Sequence, residues 1–420
     1  MKPDVGATAN LEVYRVRVRK WARSNLRPRE RLEDKPDIKR YTPEVVAENR
    51  ALQRRFFDDG FAGITWPKEY GGQGLSLVHE EIFLEETSEY ESPDFGLLTD
   101  TTFNTCVPTM IEHASPDFLR RFVPKVLRGD ALVCQFFSEP EAGSDLAAAR
   151  TRATKDGSDW IIDGQKIWSS WAQLADWGMC LARTNWDVPK HSGLTWFAVP
   201  CDAPGLTLRP IRQISGGQDF CEEFFDGVRV PDTDRLSDIG DGWRVTQTML
   251  VLERGAGRAK NNGPLVGPGP LPPDLVNIAR RAKRLDDPLV RQRIARAHTD
   301  DFVGRALWGR IGVMSRQGQL NTGVAAYGKL FMGTYLPIRA RLALEIGGEQ
   351  SLVWSPSEPD GSEVSVRYLS GRTLSIAGGT NEMQRNAISE RVLGMPRETN
   401  AAAKRPFNEV VQGNGQRSSQ

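Results

Sequence analysis

Apolar residues along the chain change their period twice. Up to about Leu132 they recur at spacings of three and four, in "PEVVAENRALQRRFFDDGF", "LVHEEIFLEETSEY" and "PDFLRRFVPKVLRGD". That spacing predicts helices with one apolar face. Pro43, Pro116 and Pro124 fall near expected first turns, where a missing N–H costs nothing. "GITWPKEYGGQG", between the helices, is too rich in glycine for regular structure. From Ala131 to about Leu236 the period shortens towards two. "DWIIDGQKIW" reads as strand, Asp163-Gly164 turn and strand, and "GLTWFAVP", "GLTLRPI" and "CEEFFDGVRVP" add further short strands. A small antiparallel β domain, sheet-on-sheet or barrel-like, is expected. Helical spacing returns from Gly242 in "WRVTQTMLVLERGAGRAK", then from Leu275 to about Ile346, and in a last helix after Gly379. "NNGPLVGPGPLPPD" and "GEQSLVWSPSEPDGSEV" have loop composition, and the tail from about Arg397 is polar and expected to fray. The expected organisation is helical over 1–132, β over 133–240 and helical over 241–396, with 397–420 a polar tail. No internal repeat is visible.

Composition narrows the class. At 420 residues the chain exceeds one comfortable core, so two or three domains are expected. Lysine plus arginine (55) nearly balance aspartate plus glutamate (54). That balance argues against a dedicated nucleic-acid or membrane-surface protein. No run approaches the roughly 20 apolar residues of a membrane span, and the charged start contains no signal core. The five cysteines form no CxxC pair and the four histidines no HxxxH or HExxH pattern, which speaks against disulfide frameworks and zinc. A soluble cytoplasmic protein without metal is expected.

Four segments carry candidate chemistry. "LVLERGAGRAK" fails as a dinucleotide loop because Lys260 stands where the third glycine belongs. "FFSEPEAGSD" gathers Ser138, Gly143 and Ser144 around a turn, which suits an anion such as pyrophosphate or reads as a polar inter-domain loop. In "QKIWSSWAQLADW", Trp168, Trp171 and Trp177 surround Ser169 and Ser170, an aromatic core or a face for a flat, polar-edged ring. Glu253 follows Met249, Leu250, Val251 and Leu252, so its helix neighbours three and four residues back are apolar. It is either a desolvated base or a surface glutamate paired with arginine. In "IAGGTNEMQRN", Gly378-Gly379 precede Thr380 and Asn381, which can cap a helix whose N-terminus can hold an anion.

In order, "GFAGITWPKEYGGQG", "QFFSEPEAGSD", "DGSDWIIDGQKIWSS", "FFDGVRVP", "GDGW", "LER" and "GGTNEMQRNAISERVLGMPRE" resemble the acyl-CoA dehydrogenase family. The resemblance runs from roughly Ala51 to Arg397. It implies a mainly α fold with a central antiparallel β domain: an N-terminal helical domain, a β-barrel-like middle domain and a C-terminal four-helix bundle. It also implies FAD, with a glutamate removing the α proton of an acyl-CoA thioester as hydride passes to flavin N5, leaving a trans-2-enoyl-CoA. Carried onto this chain, Phe136, Ser138, Gly143 and Ser144 resemble flavin, pyrophosphate and substrate contacts. Trp168, Ser169 and Ser170 resemble the isoalloxazine platform and its N5 edge. Gly379, Thr380, Asn381 and Glu382 resemble the diphosphate and ribityl contacts. Leu250 and Val251 are candidates for the acyl channel, and Arg254 resembles the arginine supporting base and substrate.

Three departures matter. Many members place their base directly before the Gly-Thr pair, where this chain has Gly378, which keeps only a backbone N–H to polarise the thioester carbonyl. A second family pattern puts the base just before an arginine on the first bundle helix, as in isovaleryl- and long-chain-type enzymes; Glu253 in "LER" matches it. In "ARRAKRLDDPLVRQRIA" the arginine that reaches a neighbouring subunit's FAD is not intact, leaving Arg281 or Arg284 as substitutes. The glycine turn "LEIGGEQ" keeps Gly347 and Gly348 as candidate cofactor contacts but has Leu344 and Gln350 at altered positions, which puts a homotetramer of the usual kind in doubt. The resemblance implies an acyl-CoA substrate, an electron-transfer flavoprotein as acceptor, and a homo-oligomer or a hetero-oligomer with a related subunit. The alternatives are a partner subunit of a hetero-oligomeric dehydrogenase, or a related flavin oxidase or monooxygenase.

Overall fold

The computed structural model describes residues 5–29, 41–253, 271–317, 319, 322–353, 359–398 and 401–415. The N-terminal region holds α1 (Val5–Asn25), α2 (Pro43–Asp58), α3 (Leu77–Thr87) and α4 (Leu97–Thr99). A π-helical stretch, Asp100–Cys106, joins α4 to α5 (Val107–His113), and α6 (Pro116–Leu127) follows. Local chemistry sets these starts. The Thr42 hydroxyl accepts from the Val45 N–H at 3.4 Å and the Ser115 hydroxyl from the Phe118 N–H at 3.2 Å, with Pro43 and Pro116 in the first turns. Pro124 instead lies inside α6. Its ring removes a single donor near the helix end, and its carbonyl still accepts from the Arg128 N–H at 3.1 Å. Helix α1 was not singled out from the sequence. Tyr14, Val18 and Ala22 bury at four-residue spacing while Arg15 and Arg19 pair with Glu85 and Glu86 of α3.

The middle region is a seven-stranded sheet in the order β1-β4-β2-β3-β7-β6, with β5 beside β4. The strands are β1 (Val133–Phe136), β2 (Arg152–Asp156), β3 (Asp159–Ser170), β4 (Trp177–Arg183), β5 (Leu194–Pro200), β6 (Leu206–Ile211) and β7 (Phe220–Pro231). Most pairs are antiparallel, but β1 runs parallel to β4. Alternation divides β4 and β5 between two cores. Met179, Leu181, Trp196 and Ala198 pack with the N-terminal helices, whereas Cys180, Ala182, Phe197 and Val199 fill the curled sheet's interior.

Asp163-Gly164 is not a turn. Strand β3 runs straight through it with a register shift, and the hairpin closes earlier, at Gly157 (φ +58°) between Asp156 and Asp159. Gly164 serves a close crossing: a Cβ there would lie 2.7 Å from Thr151 Oγ1.

The C-terminal region comprises α7 (Gly242–Val251), α8 (Pro273–Arg281), α9 (Pro288–Arg316), α10 (Thr322–Gly347), α11 (Pro359–Ser370), α12 (Thr373–Ile376) and α13 (Asn381–Arg391). Helix α11 occupies part of a segment read as loop; Pro359 opens it, and Val364 buries into the core of α8, α9 and α10. The tail is not frayed throughout. Helix α14 (Phe407–Gly415) returns to the middle sheet, where the Phe407 N–H donates to the Val188 carbonyl at 2.9 Å and the Asn408 N–H to the Trp186 carbonyl at 3.0 Å. The Phe407 ring lies 3.7 Å from the buried Arg183 guanidinium carbon. One aromatic in a polar tail suffices because it covers a cation that desolvation has already pushed down to about 10.

Candidate active site

The double glycine and Glu253 meet. Gly378 (φ +64°) and Gly379 (φ +87°) take left-handed backbone, which any side chain would resist. A Cβ on Gly378 would lie 3.0 Å from Glu253 Oε1 and 3.2 Å from Lys329 Cε. The turn is fastened from below. Lys329 of α10 donates to the Leu374 carbonyl at 2.6 Å and the Gly379 carbonyl at 3.4 Å. Gln384 Nε2 reaches back to the carbonyls of Gly378 (3.2 Å) and Gly379 (2.9 Å), and the Thr380 hydroxyl caps α13 from the Met383 N–H at 3.2 Å. Asn381 Nδ2 donates to the Gly333 carbonyl at 3.2 Å. Glu253 itself follows α7 by two residues and is partly buried. Its charge reaches Cys106 on the π-helical stretch, whose thiol is raised by burial first and then by Glu253. Arg254 lies outside the described residues.

A second group lines the rim of the sheet. The Ser138 carbonyl accepts from the Ile167 N–H at 2.9 Å, which ties the "SEPEAGSD" turn to β3 one residue before Trp168. Trp168 occupies a bulge with φ +70°; its indole is 55% exposed and meets Phe220 edge-on at 6.0 Å. Ser170 is partly exposed beyond it. Gly143 faces open space, with Ser144 exposed beside it. Two candidate contacts turn inward instead. Phe136 is fully buried, its ring against Phe225, and Ser169 is buried with its hydroxyl on Glu223.

Arg284 closes a third group. It donates to the Glu345 carbonyl (3.0 Å) and to Asp287 (2.9 Å), beside Gly348, where a Cβ would come 3.0 Å from its Nη1. It therefore holds the end of α10 next to Gly347 within its own chain, while Arg281 is exposed. Glu382 is also exposed and pairs with Arg385. Leu250 and Val251 do not line the cavity found in the N-terminal region. That space, of about 410 Å³, is bounded by Leu252 with Phe103, Asn104, Ile111 and Trp66.

Several participants were not singled out in the sequence: Lys329 and the buried trio Glu139, Lys166 and Glu223. A lysine inside the apolar run "VAAYGKLFMG" and a glutamate at an inward position of β7 are the signals that identify them. Among the described residues, Gln135 Nε2 on β1 and Asn381 Oδ1 and Gln384 Oε1 on α13 are buried without a partner. With the exposed indole, the serine hydroxyls and the open glycine turn, they fit a large polar-edged ring bearing phosphates.

Sequence profiles for the acyl-CoA dehydrogenase N-terminal, middle and C-terminal domains match residues 8–130, 134–228 and 240–393. The chain belongs to the acyl-CoA dehydrogenase family. Acyl-CoA dehydrogenase IpdE1 of Mycobacterium tuberculosis is 38% identical over 359 residues, covering 84% of this chain and 90% of that protein. Two solved structures share the fold closely. One is the Tcur3481-Tcur3483 steroid ACAD, with TM-score 0.70 and 26% identity over 93% of this chain and 98% of that one. The other is the ChsE4-ChsE5 complex from Mycobacterium tuberculosis, with TM-score 0.68 and 27% identity over 95% of this chain and 100% of that one. Members of this dehydrogenase family are flavoproteins of lipid metabolism. No helix among the described residues is long and apolar enough to cross a membrane.

Proposed function

We propose that this acyl-CoA dehydrogenase uses FAD to introduce an α,β double bond into an acyl-CoA thioester, with Glu253 as the base that removes the α proton. The carrying observation is the 3.0 Å between Glu253 Oε1 and the place a Cβ on Gly378 would occupy. A carboxylate from just beyond α7 is thereby beside the glycine turn from which the family's other arrangement hangs its base. Lys329 and Gln384 keep that turn fixed, so the Gly378 N–H is preorganised to polarise the thioester carbonyl. FAD, when bound, supplies the hydride acceptor. Ser138, Ser144, Trp168, Ser170 and Thr380 are the residues that would hold it.

The substrate reading favours a ring-bearing acyl group. One structural relative and its variant are titled steroid ACADs, two relatives are named cyclohexane-1-carbonyl-CoA dehydrogenase, and the 410 Å³ cavity beside Leu252 is of ligand size. Electron-transfer flavoprotein is the proposed acceptor. Glu253→Gln is expected to retain bound FAD and lose flavin bleaching by acyl-CoA; bleaching at the wild-type rate would refute the base assignment.

A second reading makes the chain one subunit of a hetero-oligomer. Arg284 is turned inward on its own chain, and Ile376, Leu393 and Met395 lie exposed on and after α12 and α13. Expression alone separates the readings: a colourless chain that acquires FAD only with a related subunit supports the second.

A further inference from the structure

The interior of the curled sheet holds a charged cluster beneath the Trp168 bulge. The alternation of β7 sends Cys221, Glu223 and Phe225 inward, and Glu223 is 0% exposed. Lys166 stands opposite it in the β3–β7 register. The Lys166 ammonium is engaged elsewhere, donating to Glu139 Oε1 at 2.9 Å and to the Phe137 carbonyl at 3.0 Å. Glu139 also accepts from the Arg150 and Thr151 N–H groups, at 2.6 and 2.8 Å. Glu223 therefore answers to Ser169, whose hydroxyl donates to Oε2 at 2.9 Å, while Oε1 has no partner among the described residues. Ser169 is the residue immediately after the bulge, where Trp168 is held at φ +70°, a conformation that persists only when its surroundings over-determine it.

We propose that Glu223 is a positioning residue: by holding Ser169 from inside the sheet, it fixes the bulge that turns Trp168 and Ser170 outward towards the flavin. The inference rests on the assignment of this rim to the flavin. An acceptor is needed at this point, and a charge is not. The surrounding groups keep the carboxyl neutral: burial raises it to about 8, against the opposing pull of Ser169 and Lys166. Glu222 on β7 adds repulsion, and the thiols of Cys134 (β1), Cys180 (β4) and Cys221 (β7) that face it are themselves raised, burial being the first cause in each.

The test compares Glu223→Gln, Glu223→Met and Ser169→Ala in two measurements. The first is FAD affinity of the apoprotein between pH 6 and 9 or so, with the visible flavin spectrum; the second is amide hydrogen exchange over residues 166–170 without FAD. Glu223→Met and Ser169→Ala are each expected to weaken FAD about tenfold, the effect of one lost buried hydrogen bond, and to speed exchange at the bulge. Glu223→Gln keeps an uncharged acceptor and is expected to bind within about twofold of wild type. Because an ionised Glu223 still accepts from Ser169, wild-type affinity is expected to stay level as pH rises through 8, as is that of Glu223→Gln. Wild-type FAD affinity and exchange in both Glu223→Met and Ser169→Ala would overturn the proposal, as would a Glu223→Gln as weak as Glu223→Met. If Glu223→Met does not fold, Ser169→Ala decides. A wild-type chain that binds no FAD, alone or with a related subunit, refutes the flavin assignment, and the exchange measurement still decides whether Glu223 fixes the bulge.

Discussion

Gly378→Ala is the sharpest perturbation of the proposed base. The added methyl has two separable effects. It forces alanine into φ +64°, a left-handed conformation costing roughly 1–2 kcal/mol. It also places a carbon 3.0 Å from Glu253 Oε1 and 3.2 Å from Lys329 Cε, where ordinary contact begins at 3.4 Å. Lys329 is anchored by the Leu374 carbonyl at 2.6 Å, so the carboxylate is the group that yields. Its retreat is about 0.4 Å or more. Misplacement of a catalytic group by about 1 Å is worth on the order of 100-fold, so a retreat of about 0.4 Å is expected to slow bleaching by about 5- to 10-fold. The melting temperature should fall only a few degrees, as the strain alone dictates. Anaerobic stopped-flow flavin reduction, with FAD content and thermal melts measured in parallel, reads all three. A Glu253→Asp background retracts the carboxylate by one methylene, so the further loss on adding Gly378→Ala should shrink there. Wild-type bleaching in Gly378→Ala would refute the reasoning, as would a loss equally large in the Glu253→Asp background.

Other expectations follow from the buried charges and the tail. Because the folded chain raises Glu223 from 4.5 to about 8, the native state holds its proton more tightly than the unfolded chain. Stability contributed by that proton is full below about pH 4.5 and is lost as pH rises to 8, by an amount on the order of 5 kcal/mol at most. Glu223→Gln should therefore flatten the pH dependence of urea unfolding between those limits; an unchanged slope would count against a neutral Glu223. Phe407→Ala should leave bleaching intact but expose residues 183–193 and 401–415 to faster hydrogen exchange. A local penalty of about 3 kcal/mol is the scale for a buried phenylalanine. Lys329→Met should cost more activity than stability, since it releases the Leu374 carbonyl below the glycine turn while preserving the apolar stem; an equal loss of both would assign Lys329 to folding alone.

The helical and strand regions were legible because each carries one period over long runs, as in α2, α6 and β5. The errors arose where a single residue served two rules. Asp163-Gly164 has the composition of a hairpin turn, but the glycine is spent on a backbone crossing with Thr151. Pro124 has the look of a helix start, yet near a helix end it removes only one donor. The tail's composition is polar, and Phe407 escaped notice because its partner, Arg183, is more than two hundred residues away in sequence. Within the site, the residues that were legible are those read through short motifs. Lys329 and Glu223 were not, because each acts on backbone or side chains brought near only by the fold.

The meeting of Glu253 with Gly378 also says something about how such a site can change. The carboxylate proposed as the base lies where two stretches of chain meet, one after α7 and one before α13. Either can supply the acid provided the other keeps clear, and here glycine is what keeps clear. Sequence position is then a poor record of catalytic ancestry. Two exchanges, one at each stretch, would separate enzymes that share one chemistry, and neither need disturb the frame around them.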